Sequence, residues 1–211
     1  MADNCPISFI FAKILQNPQT TNMKNNGRLI LFTFILIVLA TACKYFFGPD
    51  LDWSGFSPVI AIALFAGFMI KQKDLAFILP LIALIGSDLA IQLLYTQGAF
   101  PYSGFYSGQW KNYLLLLSIT LLGWALKGRS FGTLAVGAVV APTVYFLISN
   151  FMVWYGVSEV VYPRSFSGLM TCYTAALPFY KNALIATLVF LPSIVFQYNY
   201  VVRNKAELKI A

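Results

Sequence analysis

Asp88 is the residue on which chemistry could turn. It lies inside the apolar run LAFILPLIALIGSDLAIQLL, residues 75–94. A carboxylate at such depth in hydrocarbon is unfavourable by about 3 kcal/mol on insertion scales and is kept mainly where it is paired or functional. Two roles stay open, and a proton-coupling role beside them. In the first, Asp88 is neutral, or bonds Asn150 or a tyrosine, and fastens a helix bundle. In the second, Asp88 works with Ser87, Asn150 and Arg164 or Lys181 to line a cavity and fix a polar ligand.

The aromatic residues cluster in three connections between apolar runs. Trp53 and Phe56 occupy the first, while Trp154, Tyr155, Tyr162 and Phe166 occupy the third. The second, TQGAFPYSGFYSGQW, interleaves Phe100, Tyr102, Phe105, Tyr106 and Trp110 with three glycines and one proline. Single rings at a membrane interface act as anchors. This density with glycine between exceeds what anchoring needs and predicts a shaped, adaptable lid over a binding site. Arg164, after Pro163, could clamp a carboxylate or phosphate; a lipid phosphate is the plainer partner.

Other chemistry is restricted by what the chain lacks. It has no histidine, which removes the commonest general base and metal ligand. Cys5, Cys43 and Cys172 show no CxxC spacing, so neither a disulfide framework nor a metal site is expected. Lone cysteines are most often small buried hydrophobes. No GxxxxGK[ST] sequence occurs, so ATP hydrolysis would have to come from a partner. No catalytic residue and no cofactor are assigned. The net charge of +7 sits beside helix ends rather than in a basic stripe, which argues for anionic lipid heads and against nucleic acid.

These residues must be positioned by membrane helices. Of 211 residues, 59% are apolar and 10% charged, against about 25% charged in soluble proteins. Apolar runs at 29–47, 56–70, 75–94, 110–126, 131–154 and 183–202 predict an all-α, polytopic membrane protein with six crossings. If the first crosses outward, the inner segments carry Lys13, Lys24, Arg28, Lys71, Lys73, Lys127, Arg129, Arg203, Lys205 and Lys209. Only Lys44, Lys111, Arg164 and Lys181 fall outside, so the positive-inside rule places both termini in the cytoplasm and the ring-rich connections outside. Lys44 is expected to snorkel to the outer interface beside Tyr45, Phe46 and Phe47. Residues 1–28 form a separate tail, expected to be disordered, with 17–27 turn-rich and Met23 as a possible second start. Residues 29–202 form the transmembrane domain and 203–211 a cytoplasmic tail.

Local signals refine the picture. Ser57 is the expected N-cap of the second crossing, with Pro58 at its first position. Ala61, Ala63, Ala66 and Gly67 make that crossing small-sided, either for internal packing or as a docking face for another membrane subunit. Pro80 and Pro142 should bend the third and fifth crossings toward protein. In 162–182, Phe166, Leu169, Met170, Tyr173, Ala176 and Leu177 step by three and four, which predicts a short amphipathic outer helix closed by Pro178.

The runs FSPVIAIALFAGFMI, SDL at Asp88, LISNFMVW at Asn150 and YPRSFSGLMTCYTAALPFYKN together resemble small bacterial membrane proteins described only as transport proteins. Those are similar to the substrate-binding S components of energy-coupling factor (ECF) transporters for vitamins. The resemblance spans 29–202 and implies a six-helix S-component-like bundle in the bacterial cytoplasmic membrane. It also implies a vitamin-sized ligand near the outer face, held by the later helices and outer loops. The candidate binding residues are then Asp88, Asn150 and Trp154 on the crossings, Tyr102, Tyr106 and Trp110 in the second connection, and Tyr162, Arg164 and Tyr173 beyond the fifth crossing. It further implies an energising transmembrane subunit with ATPases, docked on Ala61, Ala63, Ala66 and Gly67, although helix one offers only Ala40 and Ala42 of the expected alanine motif. A non-catalytic scaffold and a carboxylate-dependent membrane enzyme are the competing functions.

Overall fold

A computed structural model describes residues 18–127 and 130–203. Among the described residues the chain forms seven helices and no strand: α1 Pro18–Phe47, α2 Val59–Met69, α3 Lys73–Thr96, α4 Trp110–Ala125, α5 Phe131–Gly156, α6 Phe166–Ala175 and α7 Leu177–Val201. Residues 18–28, read from the sequence as part of a tail, belong to α1; the rest of that tail and residues 204–211 lie outside the described residues.

Four segments are long and apolar enough to cross a membrane: Gly27–Phe47, Lys73–Thr96, Phe131–Gly156 and Leu177–Val201. This is the pattern of a helical membrane protein, but not the six long crossings expected. Helix α2 has 11 residues and α4 has 16, about 17 and 24 Å at 1.5 Å per residue, short of a hydrocarbon core of about 30 Å. The reason is packing. Every residue from Ile60 to Met69 is buried, because α2 is surrounded by α3, α4, α5 and α7. Its near-continuous apolar sequence serves an axial position inside the bundle, where neighbours rather than lipid set its length.

The small side chains of α2 bring backbones together. A Cβ on Gly67 would stand 2.0 Å from the Thr120 carbonyl oxygen, and one on Gly123 would stand 2.4 Å from that of Leu64. Helices α2 and α4 therefore interlock glycine against backbone, the close approach that substitutes for a hydrophobic effect between helices in lipid. This corrects the docking-face reading: Ala61, Ala63 and Ala66 are fully buried and Gly67 faces α4, so none of them presents a surface to a partner. Phe32, Phe65 and Tyr198 fill the space beside them, with ring centroids 5.2–5.6 Å apart.

Helix ends are satisfied by specific side chains. Lys127 donates to the carbonyls of Ile70 and Lys71, closing the end of α2 where the last carbonyls lack partners. Burial, then the charges of Lys71 and Lys73, pull its ammonium below the usual lysine range. Ser165 accepts from the Gly168 amide and caps α6, the short helix read from the 162–182 periodicity. Pro178 lies in the first turn of α7 rather than ending α6.

Candidate functional site

The site begins with a charge pair between α1 and α3. Lys44, in the last turn of α1, turns inward and pairs with Asp88 Oδ1 on α3, its ammonium also donating to Ser87 Oγ at 2.7 Å. This corrects the outward-snorkelling expectation. A Cα–Cβ bond on a helix tilts toward the N-terminus, so the stem of Lys44 runs back along α1 to the depth of the acid. Neither Arg164 nor Lys181 reaches the carboxylate.

The other carboxylate oxygen is also occupied. Asp88 Oδ2 accepts from Gln109 Nε2 at 2.6 Å and from the Tyr113 hydroxyl at 2.9 Å. With one cation and two neutral donors, the acid is paired and hydrogen-bonded, as a buried charge must be. Its side chain is 6% exposed and that of Lys44 24%.

Gln109 carries this pair into the connection 97–109. Its Nε2 also donates to the Gly104 carbonyl at 3.1 Å, and its Oε1 accepts from the Tyr106 amide at 3.2 Å. Gln92 Oε1 takes the Ser103 hydroxyl and the Phe105 amide. Gly104 lies so close to α3 that a Cβ would stand 2.1 Å from the Asp88 carbonyl oxygen. The ring-rich connection is thereby fastened across the bundle end by two glutamines and one glycine.

Beneath it lies a cavity of about 390 Å³, within the size range of small-molecule sites. Tyr102, Tyr106 and Phe100 line it from the connection; Tyr145 and Phe146 from α5; Phe179 and Tyr180 from α7. Lys44, Asp88, Asn112, Tyr113 and Asn150 supply polar groups, and Gly55 and Ser57 close the side next to α2. Phe146 and Tyr180 pack as a tilted pair with centroids 4.8 Å apart, and the Tyr180 hydroxyl bonds Thr143 Oγ1 at 2.9 Å. Asn112 Nδ2 donates to the Tyr106 hydroxyl. Burial first, then the Asp88 charge, holds the Tyr106 phenol above the usual tyrosine range, against the opposing effect of Asn112.

Of the candidate residues, Asp88, Asn150, Tyr102 and Tyr106 line this one cavity. The others stand apart. Trp110 is 59% exposed at the start of α4. Tyr162 is half-buried and outside the lining. Tyr173 backs the wall, its ring against Phe146 and its hydroxyl donating to the Leu147 carbonyl at 2.9 Å. Arg164 donates to the carbonyls of Trp154, Tyr155 and Val157 and lies over the Trp154 and Tyr155 rings, while Trp154 Nε1 donates to the Pro163 carbonyl. That cluster caps the C-terminus of α5 and spends the guanidinium on the protein's own backbone. Cys172 is buried, its Sγ beside the Asn150 carbonyl, and burial raises its thiol pKa. Among the described residues no three His, Cys, Asp or Glu side chains gather as a metal site.

Sequence reasoning missed Lys44, Gln109, Asn112, Tyr113, Tyr145 and Tyr180. For Lys44 a signal existed, an acid and a base near the same end of two apolar helices; Gln109 ends the ring-rich connection, and the others are ordinary residues on helices whose rotation no periodicity fixed.

Helices able to cross a membrane, gathered around a ring-lined cavity with an internal ion pair, define a helical membrane protein with a small-molecule-sized site. The chain belongs to a family of unknown function, DUF6580, whose profile matches residues 23–208. Neither curated proteins nor solved structures give a significant match.

Proposed function

We propose that the protein is the substrate-binding membrane component of an uptake system for a small water-soluble micronutrient, a vitamin or cofactor precursor. The cavity under the 97–109 connection carries this reading: about 390 Å³, walled by rings, with polar groups at few points, as small-molecule sites are built. The cation asymmetry supports a cytoplasmic-membrane orientation with both termini inside and the cavity facing out. In this reading α2 and α4 are the short crossings of a six-helix, S-component-like bundle. Energy comes from a partner ATPase complex, or the protein acts alone.

The competing functions have less to stand on. Both oxygens of Asp88 are engaged by Lys44, Gln109 and Tyr113, which suits a fixed wall better than a base that must take a proton. The scaffold reading drew on small residues of α2 that the bundle itself consumes.

The test is thermal stabilisation of the purified protein by a panel of water-soluble vitamins and cofactor precursors, followed by uptake of any stabilising compound into cells expressing the chain. At least one compound should raise Tm, and replacing both Tyr102 and Tyr106 by Ala should weaken its binding. No shift from any compound, together with one protein that persistently co-purifies, would favour the scaffold.

A further inference from the structure

The end of the bundle away from the cavity gathers positive charge that the protein does not balance. Lys71 and Lys73 lie at the turn from α2 to α3, and Lys127 follows α4. Lys127 is fixed by the carbonyls of Ile70 and Lys71, the latter at 3.1 Å, which sets its ammonium against the backbone that carries Lys71. Lys73 Nζ stands 5.2 Å from the centre of the Trp124 ring, three residues before Lys127. The three ammonium groups therefore share one small area, close enough for the charges of Lys71 and Lys73 to disfavour that of Lys127.

No carboxylate relieves this crowding. Among the described residues the ion pairs are Lys44–Asp88 and Arg164–Glu159, both at the cavity end, and Asp74, beside Lys73 in the chain, pairs with none of the three lysines. Like charges held together disfavour one another, and an anion placed among them turns that repulsion into attraction.

The surroundings indicate where such an anion comes from. Trp124 is exposed, and a tryptophan at a helix end marks the headgroup level of a bilayer. Leu121 and Leu114, three and ten residues earlier on the same side of α4, are exposed as well. An apolar strip thus leads from the ring toward the middle of the membrane. A phospholipid places its phosphate and its acyl chain at these two levels, whereas a soluble anion has nothing to lay on the strip. Net charge then selects the lipid, because a zwitterionic headgroup brings a cation along with its phosphate.

We propose that Lys71, Lys73 and Lys127 form a binding site for the phosphate of an anionic phospholipid, whose acyl chain lies along Trp124, Leu121 and Leu114. The site is remote from the cavity and stands whatever the cavity binds.

Trp124 supplies the readout, since Trp53, Trp110 and Trp154 lie at the cavity end. The full chain is placed in phosphatidylcholine nanodiscs with rising fractions of dibrominated phosphatidylglycerol or dibrominated phosphatidylcholine. Bromine quenching of Trp124 is the difference between wild type and Trp124→Phe. Phosphatidylglycerol should occupy the site at least about tenfold more readily than phosphatidylcholine, each lysine near the surface contributing about fivefold. Lys71→Gln combined with Lys73→Gln should cut that preference at least about fivefold. Both side chains are exposed and Lys127 still closes α2, so the double variant should keep the wild-type circular dichroism. Equal quenching of wild type by the two lipids overturns the site and leaves the lysines to a soluble acidic partner. A preference that survives in the double variant overturns the assignment to these lysines. A preference abolished by excess glycerol 3-phosphate at constant ionic strength overturns the lipid in favour of a soluble phosphate.

Discussion

Removing the cation from the Lys44–Asp88 pair tests how the cavity wall is held. In Lys44→Met, Asp88 keeps Gln109 and Tyr113 but loses the Lys44 counter-charge while 6% exposed. Stripping one partner from a buried pair costs about 3–5 kcal/mol. Lys44 itself is 24% exposed, so the pair is partly hydrated and the lower end applies, about 3 kcal/mol. Asp88→Asn keeps the shape and one acceptor, and its orphaned lysine retains water, so about 1–2 kcal/mol is expected. The double variant has neither charge and should resemble Asp88→Asn alone, which gives a coupling energy of about 3 kcal/mol. For a chain of this size that places Lys44→Met about 6–12 °C below wild type, with most of the loss recovered when Asp88→Asn is added. Far-UV circular dichroism of the four proteins in one detergent reads all of these values. Additive losses within about 0.5 kcal/mol would refute the pairing, and Lys44 would then return to the lipid interface.

Three further outcomes follow from the same geometry. Gln109→Leu removes the bridge from Asp88 to Gly104 and Tyr106; amide exchange across residues 98–108 should quicken at least about tenfold, with little change in α2. Gly67→Val drives a side chain into the Thr120 carbonyl and the Trp124 amide, 2.0 and 2.7 Å from the new Cβ. It should lose several kcal/mol or fail to fold, whereas Gly98→Ala, at φ +71° with open space around it, should lose about 1 kcal/mol. The Tyr106 phenol is held above the ordinary value of 10.0 by burial and Asp88. The folded protein therefore retains that proton longer than the unfolded chain, and the resulting stability is complete below pH 10.0 and lost as pH rises through the raised value. An ultraviolet titration should show several late phenolates, and Tyr106→Phe should remove one of them.

Composition and hydropathy are properties of the chain alone, so the all-helical, membrane-type architecture, the four long helices and the short α6 could be read from residue order. Asp88 and the Tyr102–Tyr106 lid were equally legible, because an acid in an apolar run and a glycine-spaced cluster of rings are anomalies wherever the helices pack. Helix rotation and neighbour choice are different. Where a helix is apolar all round, periodicity does not say which face meets protein, and so α2 looked like a crossing with a docking face until α4 was seen locked against Gly67. Counting from their helix ends, Lys44 lies about 4–5 Å inside and Asp88 about 12 Å; the stem of the lysine closes that gap only because α1 packs on α3. Arg164, read as a ligand clamp, caps α5 instead, since the carbonyls of Trp154, Tyr155 and Val157 converge on it only after the chain turns at Pro163. The sequence determined which side chains are anomalous in a bilayer; three-dimensional packing alone decided which of them meet, because those contacts join residues dozens of positions apart whose approach depends on helix rotation.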